Sequence, residues 1–169
     1  MPICSATDPT HRIPMSDQEL FVAHVPGVRY GVLDSLMGYA VRRAQIKTYE
    51  NFIVTLAPWG ITPPRFSAMV IVSLNPGLKL TQLAKIMGIA RSGVVMLVDA
   101  LEDLGYIERQ PVLEDKRAFS LVLTDKGQAD LVKISDVVKA QDAQVMASLS
   151  RGEQAELHRL LLKLCGITD

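Results

Sequence analysis

Apolar and polar positions follow three successive rhythms along this chain. Over residues 28–57 no proline interrupts a helical rhythm. Leu33, Met37, Ala40, Ala44 and Phe52 fall near one stripe, and Val32, Leu36, Tyr39, Ile46 and Ile53 near a neighbouring one. A helix apolar over more than half its girth must be covered on two sides, which suits contact with its own domain and with a second subunit. Pro58-Trp59-Gly60 ends it. Thr62-Pro63-Pro64 starts the next helix, with a Thr cap and proline in the first turn, and Asn75-Pro76-Gly77 stops it. Thr81 is expected to cap a short helix over 82–87 that Gly88 closes, and a further helix covers 91–104 and closes at Gly105. The rhythm then shortens to period two. Residues 106–110 and 118–123 read as strands joined by a charged loop. Thr124 caps a long helix over about 125–149. Ser150 and Glu153 form a capping box for a last helix that ends near Gly166, with Leu157, Leu160, Leu161 and Leu164 on its apolar face. Ahead of all this, residues 1–14 read as a loose arm rich in Pro, Thr and Asp. Ser16 and Glu19 make a capping box for a short helix through 20–23, which Pro26-Gly27 breaks.

The fold class is therefore mainly α with a small β-hairpin wing. The boundaries expected are an arm with its short helix over 1–27, helices over 28–61 and 125–169, and a helix-and-hairpin unit over 62–124.

Composition adjusts this picture in three places. Apolar residues make up 49% of the chain against 21% charged, a surplus that points to surface buried between subunits. No apolar run is long enough to span a bilayer and the N-terminus lacks the pattern of a signal peptide, so a cytoplasmic protein without membrane contact is expected. A net charge of zero argues mildly against a nucleic-acid partner, unless basic groups are gathered locally. Cys4 and Cys165 sit at opposite ends of the sequence without metal-ligand spacing, so no zinc or other metal site is expected. With no Gly-rich phosphate loop, no nucleophile elbow and three scattered histidines, the sequence points away from an enzyme and implies no cofactor.

The informative block is 80–104. Two short helices meet at Gly88 across a tight turn. Ala84 is small where they cross, and Val94 and Leu97 are apolar where the second packs back. Two core helices joined tightly would look the same. The hairpin that follows tips the balance, because it places a charged wing beside the second helix, the geometry that fills a major groove and a flanking minor groove.

These residues resemble the MarR family of bacterial regulators. The resemblance is carried by Leu83-Ala84, Leu97-Val98-Asp99, Leu101-Glu102, Leu104-Gly105-Tyr106-Ile107, Arg109, Glu114-Asp115-Lys116-Arg117-Ala118 and Leu123-Thr124-Asp125-Lys126-Gly127, in the family's order. It implies a winged helix-turn-helix DNA-binding region over 62–124 plus a helical dimerisation region over 28–61 and 125–169, in a homodimer on double-stranded DNA with a pseudo-palindromic operator. Arg91, Ser92 and Gly93 then begin the recognition helix. Val95 and Met96 occupy positions that usually carry a polar and a long side chain; being apolar here, they suit thymine methyl groups. Arg117 matches the wing arginine of the minor groove, and Asp115 matches the acid that orients it, although Asp115 also reads as a plain turn residue. Arg65, Lys79, Lys85 and Lys116 are candidate phosphate contacts.

The stretch from His24 to Gln45 is similar to regulators of aromatic-acid catabolism, some of which answer to hydroxycinnamoyl-coenzyme A thioesters. This implies a small aromatic acid or an aromatic acyl-CoA as effector. Arg42 and Arg43 are candidates to clamp its carboxylate or phosphates, Tyr39, Tyr49 and Trp59 to stack on its ring, and His24 and Arg29 to close the site where the arm joins the first helix. Two other readings remain open at this point: a peroxide-sensing repressor using Cys4, and a winged helix that binds protein rather than DNA.

Overall fold

The computed structural model describes residues 21–112 and 115–167, with residues 115–118 described by their backbone alone. Cys4 and the capping box at Ser16 lie outside the described residues. The elements are α1 (Met37–Leu56), α2 (Pro63–Leu74), β1 (Leu78–Lys79), α3 (Leu80–Met87), α4 (Arg91–Asp103), β2 (Ile107–Val112), β3 (Asp115–Leu123), α5 (Asp125–Val145) and α6 (Arg151–Leu164). Short 3-10 turns cover Gly31–Ser35, Ala57–Trp59 and Met146–Ser148. The mainly helical architecture with a β-hairpin wing is as expected.

Four local expectations need correction. The helix over 28–57 is interrupted. Gly31 takes a left-handed backbone (φ 59°) at the head of an isolated 3-10 turn, and Leu36 is extended (φ −89°, ψ 115°), so the regular helix starts at Met37. The short helix over 20–23 is absent from the described residues Phe21 to Ala23. The Phe21 amide donates instead to the Glu50 carboxylate on α1, and Pro26-Gly27 forms a turn that the Val28 amide closes onto the Val25 carbonyl at 3.2 Å. Thr81 is not the cap of α3, which begins one residue earlier at Leu80. There the Gln82 side chain reaches back and accepts from the Lys79 amide at 2.9 Å. The fourth difference is β1, a two-residue strand invisible to periodicity. It pairs Leu78 with Leu121 and Lys79 with Ser120.

β3 is thus the central strand, in the order β1-β3-β2. β2 runs antiparallel to it from Ile107↔Leu123 to Pro111↔Phe119, where the register shifts. Pro111 brings no N–H to that outer strand.

The core lies in the middle of the sequence. Leu56, Ile61, Met69, Val72, Leu83, Val94, Val98, Leu101, Ile107, Leu121 and Ile134 are fully buried in one cluster. Each contributes about 1.5–3 kcal/mol of apolar burial. Leucine and valine at 94, 98 and 101 anchor α4, leaving its opposite face outward. In contrast α6 buries no residue, and its Leu160 and Leu164 are exposed, as are Val28, Val32, Leu36 and Met37 before and at the start of α1.

The junction from wing to α5 explains the Leu123-Thr124-Asp125-Lys126-Gly127 run. Thr124 Oγ1 accepts from the Gly127 amide at 2.9 Å and donates to the Gly105 carbonyl at 2.6 Å. The Thr124 amide donates to the Tyr106 carbonyl at 3.1 Å. A Cβ on Gly127 would stand 2.1 Å from that same carbonyl oxygen, so only glycine permits α5 to approach this closely. Burial, then the nearby Asp130 carboxylate, push the Tyr106 phenol above its ordinary range.

Candidate DNA interface and effector cavity

α3, the turn at Gly88 and α4 form a helix-turn-helix. Gly88 is left-handed (φ 65°), and the Ile89 amide donates back to the Ala84 carbonyl at 3.3 Å. α4 then opens at Ala90, which has no side-chain oxygen to cap it, so the amides of its first turn receive no cap from that residue. Arg91 and Ser92 are exposed at this end. The amides, the arginine and the positive end of the helix dipole together suit a phosphate. Gly93 has no internal reason to be glycine: a Cβ there would meet only Ile89 Cδ1, at 3.9 Å, which is ordinary contact. Glycine inside a helix costs about 1 kcal/mol relative to alanine, and no close contact within the chain offsets that cost at Gly93.

Of the two apolar reader candidates, Met96 is 73% exposed, while Val95 is only half-buried. Ile86 and Ile89 join Met96 as exposed apolar groups on the motif. Sequence reasoning missed both. The signal was that Leu83, Ala84 and Met87 already supply the inward face of α3, leaving Ile86 surplus.

Arg109, at the base of the wing, ties it to α4. Its guanidinium donates to Glu102 Oε2 at 2.5 Å and to Asp99 Oδ1 at 2.6 Å, and its amide donates to Glu102 Oε1 at 3.1 Å. Three charge-assisted bonds from one residue fix an orientation that an isolated surface pair would not. Asp99 and Glu102 thereby act as struts of the wing. Asp115, Lys116 and Arg117 sit at the start of β3, the tip end of the hairpin, where the strand backbone alone is described. Lys79 and Lys85 are exposed at the end of β1 and on α3. Arg65 is not with them. Its guanidinium donates to the Gly60 carbonyl at 2.6 Å, and Gly60 packs against Leu104, so Arg65 lies at the opposite end of α4 from Arg91. That separation is about 20 Å along the helix.

The seven effector candidates also divide. His24, Tyr39 and Arg43 come together around Tyr30, a residue the sequence reading left out of the set. The His24 and Tyr30 ring centroids are 5.2 Å apart, and Arg43 Cζ stands 5.2 Å from the centroids of both Tyr30 and Tyr39. A cavity of about 280 Å³ opens beside Tyr39 and Arg43, bounded also by Leu33 and Asp34. Arg29 and Arg42 are exposed. Trp59 packs on the core at the α1–α2 turn, where its carbonyl accepts from the Tyr106 hydroxyl at 3.4 Å. Tyr49 lines a different cavity, also about 280 Å³, between α1, α2 and α5, together with Phe52, Phe66, Val138 and Gln141. Phe52 is about two and a half turns from Arg43, so the two cavities lie on opposite faces of α1.

The family model described as MarR family matches residues 59–118, from Trp59 through the helix-turn-helix into the wing. A protein of Thauera aromatica named as a transcriptional regulatory protein for the hcr operon is 33% identical over 136 residues, covering 80% of this chain and 82% of that one. The chain belongs to the MarR family. Two solved structures of the transcriptional repressor CouR agree in fold. One, bound to a 23-mer DNA duplex, gives a TM-score of 0.77 at 34% identity, over 82% of this chain and 98% of that one. The other, bound to p-coumaroyl-CoA, gives 0.75 at 32%, over 82% and 97%. In this MarR-family protein the family model ends within the wing, so α5 and α6 lie beyond it. Among the described residues no helix is long and apolar enough to cross a membrane.

Proposed function

We propose that this protein is a homodimeric transcriptional repressor, released from its operator by a small aromatic acid or the CoA thioester of one. The observation that carries the DNA half is the exposed, uncapped start of α4 beside a wing braced by Arg109. Arg91, Ser92 and the bare Gly93 backbone contact phosphate and base edges. Met96, with Val95 and Ile89, meets thymine methyls, and Arg117, oriented by Asp115, enters the minor groove with Lys116, Lys79 and Lys85 on phosphates. Residues 62–124 form the DNA-binding unit, and 28–61 with 125–169 the dimerisation region. The exposed apolar residues of 28–37 and of α6 support that division, because a second copy can cover them.

The effector half rests on the cavity that Tyr49 lines. Its walls come from α1 and α5, which belong to the dimerisation region, and from α2, the first helix of the winged unit. A ring wedged there changes how the winged unit sits on the dimer helices, and so the distance between two recognition helices. An apolar cavity of about 150 Å³ holds benzene, so this one accepts a substituted ring and leaves a nucleotide outside. CouR, the neighbour solved with p-coumaroyl-CoA, supports an aromatic acyl-CoA as the first probe.

The test is fluorescence anisotropy on the DNA upstream of the protein's own gene. Binding should weaken linearly on a logarithmic salt scale, show a pseudo-palindrome with half-sites about one helical turn apart, and be reversed by p-coumaroyl-CoA or p-coumarate. Replacing thymine by uracil in the operator should weaken it further. Absence of binding at low salt would remove the repressor reading; binding that neither compound reverses would remove the effector class.

A further inference from the structure

Met96 stands on the face of α4 opposite the buried Val94, Val98 and Leu101 and is 73% exposed. Gly93 lies one turn before it. From the other side Ile89, also exposed, reaches the same glycine: a Cβ on Gly93 would meet the Ile89 Cδ1 at 3.9 Å. A long side chain on a helix leans over the turn that precedes its own Cα, so Met96 borders Gly93 opposite Ile89. Gly93 is thus the floor of a shallow apolar notch that opens to solvent. The notch shares its turn with Arg91, Ser92 and the uncapped amides that suit a phosphate. That continuity names its occupant as DNA.

Such a notch carries little that tells one pyrimidine from another. In the major groove thymine shows the O4 acceptor beside its C5 methyl, and cytosine shows the N4 amino donor. Asp99, one turn beyond Met96, could accept from the cytosine amine, but the Arg109 guanidinium holds its carboxylate at 2.6 Å. Ser92, one turn before Met96, has a hydroxyl that donates or accepts equally well. What remains is room for one methyl group.

We infer that Ile89, Gly93 and Met96 read the 5-methyl group itself, so that 5-methylcytosine at the contacted position is bound as thymine is. This rests on the reading of α4 as the recognition helix and goes beyond it, because the protein's grip on an operator then responds to methylation of cytosine in the DNA. A buried methyl contributes a factor of about four in affinity, and two half-sites together give about 15.

The experiment is fluorescence anisotropy of the full chain on the DNA upstream of its own gene. Replacing each thymine in turn by uracil finds the contacted methyl. At that position, in both half-sites, four duplexes are then compared: thymine or uracil opposite adenine, and 5-methylcytosine or cytosine opposite guanine. Each pair differs by the methyl alone, so the change of base pair cancels within it. The methyl should tighten binding about 15-fold in both pairs. In Met96→Gln, and to a smaller extent in Ile89→Ala, that ratio should fall toward one in both pairs. Being a ratio within one variant, it is unmoved by a general loss of affinity. A methyl gain with thymine but none with cytosine, or a full ratio kept by both variants, overturns the methyl notch and leaves α4 as the DNA-reading helix. So does an operator on which no uracil replacement matters. Failure to bind any of these duplexes at low salt overturns both.

Discussion

The winged unit and the helical ends of this chain are built on different principles. From Phe52 to Ile134 the buried apolar residues of α2, α3, α4 and the sheet share a single cluster, while Ile86, Ile89 and Met96 stay outward. At the two ends of the described chain the apolar residues are just as frequent but stay open: Val32, Leu36 and Met37 on one side, Leu160 and Leu164 on the other. The middle is a fold that one chain completes. The ends hold their helices by local devices, such as the box in which Ser150 Oγ and Glu153 bond each other at the head of α6, and leave their apolar faces open in the single chain. Under the proposed dimer, stability and assembly fall to separate stretches of sequence.

The contrast can be broken most severely at its seam. Gly127→Ala drives a methyl into the Tyr106 carbonyl, and should destabilise the protein by about 3 kcal/mol or more. For a chain of this size that lowers the melting temperature by roughly 6–12 °C, read by thermal denaturation. The double change Leu160→Glu, Leu164→Glu should act the other way round. Sedimentation should show a monomer with a folded winged unit, and operator affinity should fall by about 100-fold or more as the second half-site contact is lost. Unchanged sedimentation would place the interface elsewhere.

Smaller effects test the winged unit from within. Arg109→Ala leaves two carboxylates facing an unbraced wing, and should lower operator affinity about tenfold, near 1.4 kcal/mol, without changing the oligomer. Arg109→Lys should restore little, because an ammonium cannot fork to Asp99 and Glu102 together. Gly93→Ala should raise thermal stability by up to about 1 kcal/mol while weakening DNA binding; a variant that binds as well as wild type would show that no DNA backbone or base approaches there. The smallest effect belongs to α6. Hydrogen bonds from the Ser150 hydroxyl and amide hold the Glu153 carboxyl below its ordinary range. A lowered value in the folded state means its stabilisation is present above the ordinary glutamate range and is lost as pH falls through the lowered one. Circular dichroism should show a slight acid loss of helix that Glu153→Gln lacks.

The middle of the molecule was the legible part. Gly88, Gly105 and Thr124 mark ends and starts that periodicity alone places within a residue or two. The ends of α2 could be read from Thr62-Pro63-Pro64 and Asn75 because proline restricts the backbone without help from distant residues. What sequence did not reveal depends on contacts far apart in the chain. β1 exists because two residues happen to lie beside Leu121. Arg109 was visible as a motif residue, but its grip on Asp99 and Glu102 needs the wing folded back on α4. The effector candidates were chosen for chemical type on the first helix and around its two ends, and the helix sends Arg43 and the wall that Tyr49 shares with Phe52 to opposite faces. Gln141, ninety-three positions from its partner Thr48, gave no local signal at all.

The outer strand of the wing has one more consequence. A hairpin projecting into solvent offers an open row of peptide groups, and molecules gathered side by side on neighbouring operators would bring such rows within reach of each other. β2 meets this hazard with Pro111, which lacks a donor, and with the register shift beside it. Both spoil the template on which a second strand could add. The proline and the register shift that make the hairpin irregular therefore guard the protein against sticking to its own copies when it is crowded.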